Sequence, residues 1–539
     1  MISRLVLALA VARGALAYTW PSPKLDRLEA LRWDQLGYNS FEAALFVTPC
    51  DRYIHPQDPG YKGVRSNAGD WIRTAYHDMA PHNKEDGTGG MDSSIRMWEE
   101  QARAENPGTH FNNSVGFVAG AVDRHFSLAD GLALLLVMAV ENCGGPEVDF
   151  RGGRIDATEP NAAGVPEPDQ DLDSHEAAFA RQGFTPEEMI GLVACGHSIG
   201  SVQHADFPDQ VPASPDGEDV IAGVAFDGTL VEFDNTIATE YIEGTTQNPL
   251  VVGLNDTKNS DGRIFSLDGN KTMAAFAKDA DHFASTCASL FARMIDTVPK
   301  GVELTEVIRP LPAKPSELKL TYTKSGNITL SGEVRLFDIA ENDARTVQIA
   351  WTDATCTDGA DCPVHRARMP HTANMTGSAQ AKRYTSLWYG SAPPLKDIVG
   401  GTAGLASIDP AAGFGAFWFE ADEGDGKAVA YDQDGARFAL PTDRVMRAEG
   451  TCEKTVNVAV HESVKPTRVY IAGDAFTADN QGQAPAREFD LKAGGAADAN
   501  GYVIWTAELE AMPSFSYGIL AEADGKTIEL PQNERSDFC

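Results

Sequence analysis

The sequence predicts a mainly α domain followed by an all-β region of one or two antiparallel sandwiches. Three features predict this order. Apolar residues recur at helical spacing from about residue 26 to 297, the run Pro310-Leu311-Pro312-Ala313-Lys314-Pro315 reads as a stiff linker, and beyond it the apolar period drops to two. At 539 residues the chain exceeds what one compact core can hold, so a large domain with one or two smaller ones is expected.

The N-terminal segment, residues 1–17, combines an early arginine, a short apolar run from Leu5 to Ala12 and a small-residue site at Ala15-Leu16-Ala17. That pattern reads as a secretory signal peptide, with Tyr18 opening the mature chain and a secreted, extracellular protein as the result. Eight cysteines, Cys50, Cys143, Cys195, Cys287, Cys356, Cys362, Cys452 and Cys539, can then form four disulfides in an oxidising compartment. Sequons at Asn112, Asn255, Asn270, Asn327 and Asn374 fit a glycoprotein on the same route. A net charge of -34 argues against nucleic acid or an anionic membrane as partner, and no later apolar run is long enough to span a bilayer.

Within the helical part, LADGLALLLVMAV (128–140) is apolar nearly all round and predicts a central buried helix. Thr185-Pro186-Glu187-Glu188 supplies an N-cap, a first-turn proline and a capping-box glutamate, launching a helix that ends near His197-Ser198. The last helical run is 271–295. Strands are expected at TVQIAW (346–351), TVNVAV (455–460), RVYIAG (468–473) and YVIWTAEL (502–509). A segment ending at Pro441, FEADEGDGKAVAYDQDGARFALP, is echoed by LAEADGKTIELP ending at Pro531, which favours two tandem sandwiches over one larger one. The boundaries read as an α domain over 18–310 and β modules over 316–445 and 452–539.

The chemistry starts from WIRTAYHDMA (71–80). As a helix it places Arg73 and His77 on one face, four residues apart, with Tyr76 beside them. Downstream, Asp78, Gly90, Asp92 and Ser94 offer oxygen donors around a glycine-rich turn. A second set, Asp227, Thr229, Asp234 and the carbonyl of Glu232, could enclose a cation next to Ser198. Such oxygen-rich sets suit calcium, although each alone could be an ordinary Asp/Gly turn.

Together with CGHSIG (195–200), these motifs resemble the secreted haem peroxidases of the plant and fungal peroxidase-catalase superfamily, over roughly residues 35 to 297. WIRTAYHD resembles the distal helix, GTGGMDSSI the distal calcium loop and SLADGLALLLVMAVENCGGP the central helix. FRGGRIDA, GVPEP, EEMIGLVACGHSIG, AFDGTLVEFDN and NSDGRIFS follow in family order. In style the chain is similar to ascomycete hybrid-type B peroxidases and class II fungal peroxidases. The resemblance implies haem b, two calcium ions and a peroxidase reaction on hydrogen peroxide. His197 would ligate the haem iron, with Asp261 accepting its other ring proton. His77 would serve as base then acid toward peroxide, Arg73 would stabilise the charge that develops, and Asn106 would orient His77. Competing asparagines at 112 and 113 leave the last assignment open. Ser198, Asp227, Thr229, Glu232 and Asp234 would form one calcium site; Asp78, Gly90, Asp92 and Ser94 the other. Asp130 and Arg154 fall where the family has a structural ion pair. His82 and His110 read as surface loop residues.

The donor is read by elimination. Positions matching the three manganese carboxylates of some relatives are Ser66, Asp70 and Gln203, and the position of an exposed redox tryptophan is Leu192. Phe226 stands where cytochrome c peroxidase has its proximal tryptophan. Small phenolic or aromatic reductants at the haem edge are expected instead. Tyr76 replaces the family's phenylalanine or tryptophan, and its hydroxyl must be bonded or is itself oxidised. In the β modules Trp351, Trp388, Trp418 and Trp505 could line a cell-wall polysaccharide surface, but strand tryptophans are more often core. The competing function is therefore a carbohydrate-binding protein carrying a degenerate peroxidase scaffold.

Overall fold

The architecture comes from a computed structural model that describes residues 18–41, 43–47, 50, 65–214, 223–230, 232–356, 361–376, 384–391, 404–452, 454–474, 487–509, 516–531 and 534–535. The expected signal peptide lies outside the described residues.

The helical domain contains α1 (Pro23–Trp33), α2 (Asn67–Met79), α3 (Trp98–Gln101), α4 (His110–Val118), α5 (Leu128–Asn142), α6 (Leu172–Gln182), α7 (Pro186–Gly196), α8 (Thr236–Glu243), α9 (Pro249–Val252), α10 (Ser260–Phe265), α11 (Lys271–Lys278) and α12 (Ala280–Ile295). Every residue of α5 is buried, as its uniformly apolar sequence requires, and α2 packs along it. Each leucine so enclosed contributes about 1.5–3 kcal/mol. Asp130 at the start of α5 pairs with Arg154 at 2.9 Å, both out of contact with water. Thr185 and Glu188 form the reciprocal capping box that starts α7. The 271–295 run is two helices rather than one. Asp279 leaves helical geometry and its side chain accepts from the amide of His282, ending α11 and capping α12 in a single residue.

Two disulfides brace this domain. Cys50–Cys143 ties the segment before α2 to the end of α5, and Cys195–Cys287 ties α7 to α12. Cys356–Cys362 closes a short loop in the β region. Cys539, which could pair with Cys452, lies outside the described residues.

Four predicted strands form at Thr346–Thr352, Thr455–His461, Arg468–Asp474 and Tyr502–Glu508. A nine-stranded sheet runs in the order Lys492–Ala493, Tyr502–Glu508, Thr455–His461, Val445–Ala448, Ala313–Tyr322, Ile328–Phe337, Thr385–Gly390, His371–Thr376, with Ala406–Ile408 also paired to Ile328–Phe337. A four-stranded sheet and a five-stranded sheet each share an apolar cluster with the nine-stranded sheet. Strands from both expected modules therefore share one sheet, because Val445–Ala448 pairs in parallel with Ala313–Tyr322 and antiparallel with Thr455–His461. The repeated segments are equivalent hairpins: Phe417–Asp422 with Val429–Tyr431, and Ser516–Ala523 with Lys526–Glu529. Trp351, Trp388 and Trp418 are buried and Trp505 packs partly against a core, so these rings are packing residues.

The expected linker is part of the structure it joins. Ala313–Tyr322 is already strand, and Lys314 ion-pairs with Glu29 of α1. Arg335 reaches the same Glu29 and lies 3.1 Å from both oxygens of Asp34. Tyr38 donates to Glu333 at 2.8 Å. These buried charges lock the α domain onto the nine-stranded sheet.

Candidate active site

Helix α2 starts from Ser66, whose hydroxyl accepts from the amide of Gly69, and its buried face packs on α5. That orientation directs Ile72, Arg73, Tyr76 and His77 into a cavity whose other wall is the end of α7, with Val193, Gly196 and His197. The empty space, its open mouth included, is ≈ 1510 Å³, and the lining is mostly apolar. At the cavity floor Gly200 has φ +104, and its Cα lies close enough to Gly69 that a Cβ on Gly69 would approach it to 3.0 Å. This glycine contact lets the chain after α7 pass directly beneath α2.

His197 is the C-cap of α7, where the helix ends and the side chain is released into the cavity. Its Nδ1 lies 2.8 Å from Asp261 Oδ2, so Nδ1–H donates and the lone pair of Nε2 is left for a metal. Asn248 Nδ2 donates to the same carboxylate oxygen at 2.8 Å. Asp261 is buried, and among the described residues its Oδ1 has no hydrogen-bond partner. Phe226 stacks on the His197 ring at 4.2 Å and 7°, limiting its rotation. The set has the chemistry of a fixed imidazole ligand beneath a macrocycle, and the residues fit a haem.

Across the cavity His77 Nδ1 lies 2.7 Å from Asn106 Oδ1, and Asn106 Nδ2 donates to the carbonyl of Glu100 at 2.8 Å. The second bond fixes the amide so that its oxygen faces His77. His77 Nδ1–H therefore donates and Nε2 is an acceptor. Burial, then the charge of Arg73, push the His77 pKa down to about 3, with the Asn106 bond opposing them. Burial lowers Arg73 to about 10, which leaves it cationic. Asn113 is occupied elsewhere, donating to Asp70 Oδ2 at 2.7 Å, and Asn112 is exposed.

Tyr76 lies 3.5 Å from Gln182 and faces Phe179, and burial keeps its phenol protonated by raising its pKa. The Asp70 carboxylate is taken up by Arg65 at 2.8 Å and by Asn113, which leaves no open acid at the three matched manganese positions. Gln203 lines the cavity; His204 turns away and bonds the Val211 carbonyl through Nδ1 at 2.7 Å.

The first oxygen-rich set is gathered around Asp78, whose carboxylate accepts from the amides of Asp92, Ser93 and Ile95. Asp92 bonds Asn161 and the amide of Ser94, and Gly90 adopts φ +120 beside Val298. Burial raises Asp78 well above the usual carboxylate range, and the nearby Asp92 charge adds to it. In the second set Thr229 Oγ1 donates to Asp234 Oδ1 at 3.0 Å, and Asp227 is pushed up to about 7 mainly by burial. Asp227 Oδ2 is buried without a hydrogen-bond partner among the described residues. Ser198 donates to the Cys195 carbonyl, and Glu232 is exposed with its amide bonded to the Thr229 carbonyl. Among the described residues no group of three or more His, Cys, Asp or Glu side chains is gathered as a metal site. The two sets rely on carbonyl and hydroxyl oxygens as well, and the orphaned Asp227 oxygen fits a cation there.

Two histidines differ from expectation. His82 is buried and its Nδ1 lies 2.9 Å from the Gly89 carbonyl, while His110 is buried with Nδ1 2.7 Å from Arg73 Nη1. Sequence reasoning also missed Asn248, which sits on the Asp261 carboxylate. Neither His110 nor Asn248 lies in a motif of its own; folding alone brings them to the site.

Residues 59–260 match the sequence profile of the peroxidase family. This part of the chain belongs to the peroxidase-catalase superfamily. The peroxidase domain is 28% identical over 216 residues to L-ascorbate peroxidase 5, peroxisomal, of Arabidopsis thaliana, covering 39% of this chain and 69% of that protein. It is 26% identical over 248 residues to the mitochondrial cytochrome c peroxidase of Yarrowia lipolytica, 44% of this chain and 70% of that protein. A WSC domain-containing protein of Arthroderma benhamiae is 35% identical over 350 residues, and the match spans 64% of this chain but only 46% of that protein. The peroxidase helices are followed here by antiparallel sheets.

Proposed function

We propose that the chain is a secreted haem peroxidase that reduces hydrogen peroxide and oxidises two equivalents of a small phenolic or aromatic donor. One observation carries the reading: two histidines line one cavity, each with Nδ1 held by a carbonyl or carboxylate oxygen at 2.7 or 2.8 Å. Such pairing leaves Nε2 of both rings as an acceptor, one suited to iron and the other to a proton.

His197 would hold haem b, with Asp261 fixing its tautomer and raising its basicity, and Phe226 fixing its plane. The bound group supplies the two-electron chemistry that cleaves the O–O bond. His77 Nε2 takes a proton from one peroxide oxygen and returns it to the departing oxygen, which leaves as water. Arg73, still cationic, stabilises the negative charge that builds on that oxygen. Asn106 keeps the His77 proton on Nδ1. Each of two donor molecules then contributes one electron and one proton, so peroxide becomes two waters. The apolar lining admits an aromatic ring, and the neutralised Asp70 argues against a manganese donor. Calcium held by the Asp78 and Asp227 sets would brace α2 and the chain after α7.

The test is direct. Full-length protein supplied with haem should show a high-spin ferric Soret band that changes within seconds of adding one equivalent of hydrogen peroxide. An unchanged spectrum sinks the reading.

A further inference from the structure

A six-residue segment of loop and first helical turn, 106–111, reaches both working side chains of α2 through Asn106, His110 and Phe111. Asn106 bonds His77, while His110 and Phe111 embrace Arg73. His110 Nδ1 lies 2.7 Å from Arg73 Nη1, and the guanidinium carbon stands 5.0 Å over the Phe111 ring. A guanidinium can only donate, so His110 Nδ1 must be the acceptor and the ring carries its proton on Nε2. That nitrogen faces Asp70 Oδ1 at 3.8 Å and Asp206 Oδ2 at 3.9 Å. Burial, then Arg73, Arg65 and His77, drive the His110 pKa far down, so the ring stays neutral and remains an acceptor.

The backbone is shaped for this contact. Gly108 has φ +96, and a Cβ there would meet His110 Nδ1 at 2.5 Å and Asp206 Oδ2 at 2.7 Å. Only glycine lets the imidazole fold back over its own turn toward Arg73.

We propose that His110 is a positioning residue for Arg73: a neutral imidazole that accepts from Nη1 and holds the guanidinium in place, with Phe111 beneath it. The rest of the fork is then free for what the cavity binds. An arginine is long and rotamer-rich, and a fixed acceptor removes that freedom before the reaction begins. The consequence for rate rests on the peroxidase reading; the consequence for Arg73 does not.

The experiment uses full-length wild type, His110→Phe and His110→Asn. Phenylalanine keeps a ring and removes the acceptor, whereas the asparagine carbonyl can stand near the lost Nδ1. Phenylglyoxal, an arginine reagent, is applied and modification of Arg73 is followed by peptide mass mapping. Arg73 should be labelled about tenfold faster in His110→Phe, the factor expected from losing one charge-assisted hydrogen bond, and at near the wild-type rate in His110→Asn. With haem bound, kcat/KM for hydrogen peroxide should fall by a similar factor in His110→Phe while KM for an aromatic donor stays put. Equal labelling of all three proteins overturns the proposal, as does fast labelling of His110→Asn. Should the phenylalanine protein not fold, His110→Leu carries the same expectation. A wild type inert to peroxide removes the peroxidase reading and leaves the labelling comparison intact.

Discussion

His197 Nδ1 and Asp261 Oδ2 stand 2.8 Å apart, joining the end of α7 to the start of α10 across 64 residues of sequence. The bond commits one ring nitrogen and exposes the other to the cavity. Asp261→Asn keeps the shape and removes the charge. The haem-bound variant should lose about 10–100-fold in its rate with peroxide, and its iron reduction potential should rise. Stopped-flow absorbance and a redox titration measure the two effects.

His77→Ala should lower the peroxide rate by about 10²–10⁴-fold, the range for a positioned acid–base group. The pH profile carries further information. With its pKa lowered to about 3, His77 is neutral from mildly acidic solution upward, so the peroxide rate should stay flat there and fall only as pH approaches 3. Stability follows the same sign. Between the ordinary histidine value of 6.5 and about 3 the unfolded ring is protonated and the folded one is not, so this residue destabilises the fold as pH falls through that window. A profile breaking near 6.5 would contradict the buried, Arg73-facing environment.

Gly108→Ala adds a methyl group where φ is +96 and His110 lies 2.5 Å away. The cost should be about 1–3 kcal/mol, read as a lower melting temperature, together with a loss of peroxide reactivity as Asn106 and His110 both shift.

Arg335→Met removes the cation between Glu29 and Asp34 and leaves two buried carboxylates facing each other near Lys314. Breaking such a network costs about 3–5 kcal/mol. Calorimetry should then resolve separate transitions for the α domain and the β region where the wild type melts with the two coupled.

Chelation tests the two oxygen-rich sets. Removing calcium should lower the melting temperature, and restoring it at about 100 times Kd should return about 2.7 kcal/mol. Asp227→Ala should abolish part of that response, because it deletes the buried oxygen without a partner.

Much of the helical domain was legible because its signals are local. The all-apolar 128–140 run can only be buried, and Thr185 with Glu188 writes its own cap. The four alternating segments in the second half became strands for the same reason. What misled was equally physical. A histidine two residues after a Pro-Gly turn reads as exposed loop, yet His110 is enclosed because Gly108 permits a fold-back that sequence pattern does not reveal. The 271–295 run hid its break because Asp279 lies in a polar stretch, Lys278 to His282, that is exposed and that the solvent face of one continuous helix would equally accommodate.

By itself the sequence determined the spacing that puts Arg73 and His77 on one helical face and the change from α to β at the proline-rich run, while the other candidate site residues came from the resemblance of ordered motifs to a family. The first two follow from periodicity and turn chemistry, which act within a few residues. Only the tertiary structure decided that Asn106 rather than Asn113 meets His77, that Asn248 shares the Asp261 carboxylate, and that Arg73 is held by His110. It also decided that the expected β modules share one sheet and that Glu29, Asp34, Lys314 and Arg335 bind the α domain to it. Those outcomes depend on which distant surfaces exclude water together, and no short window of sequence carries that information.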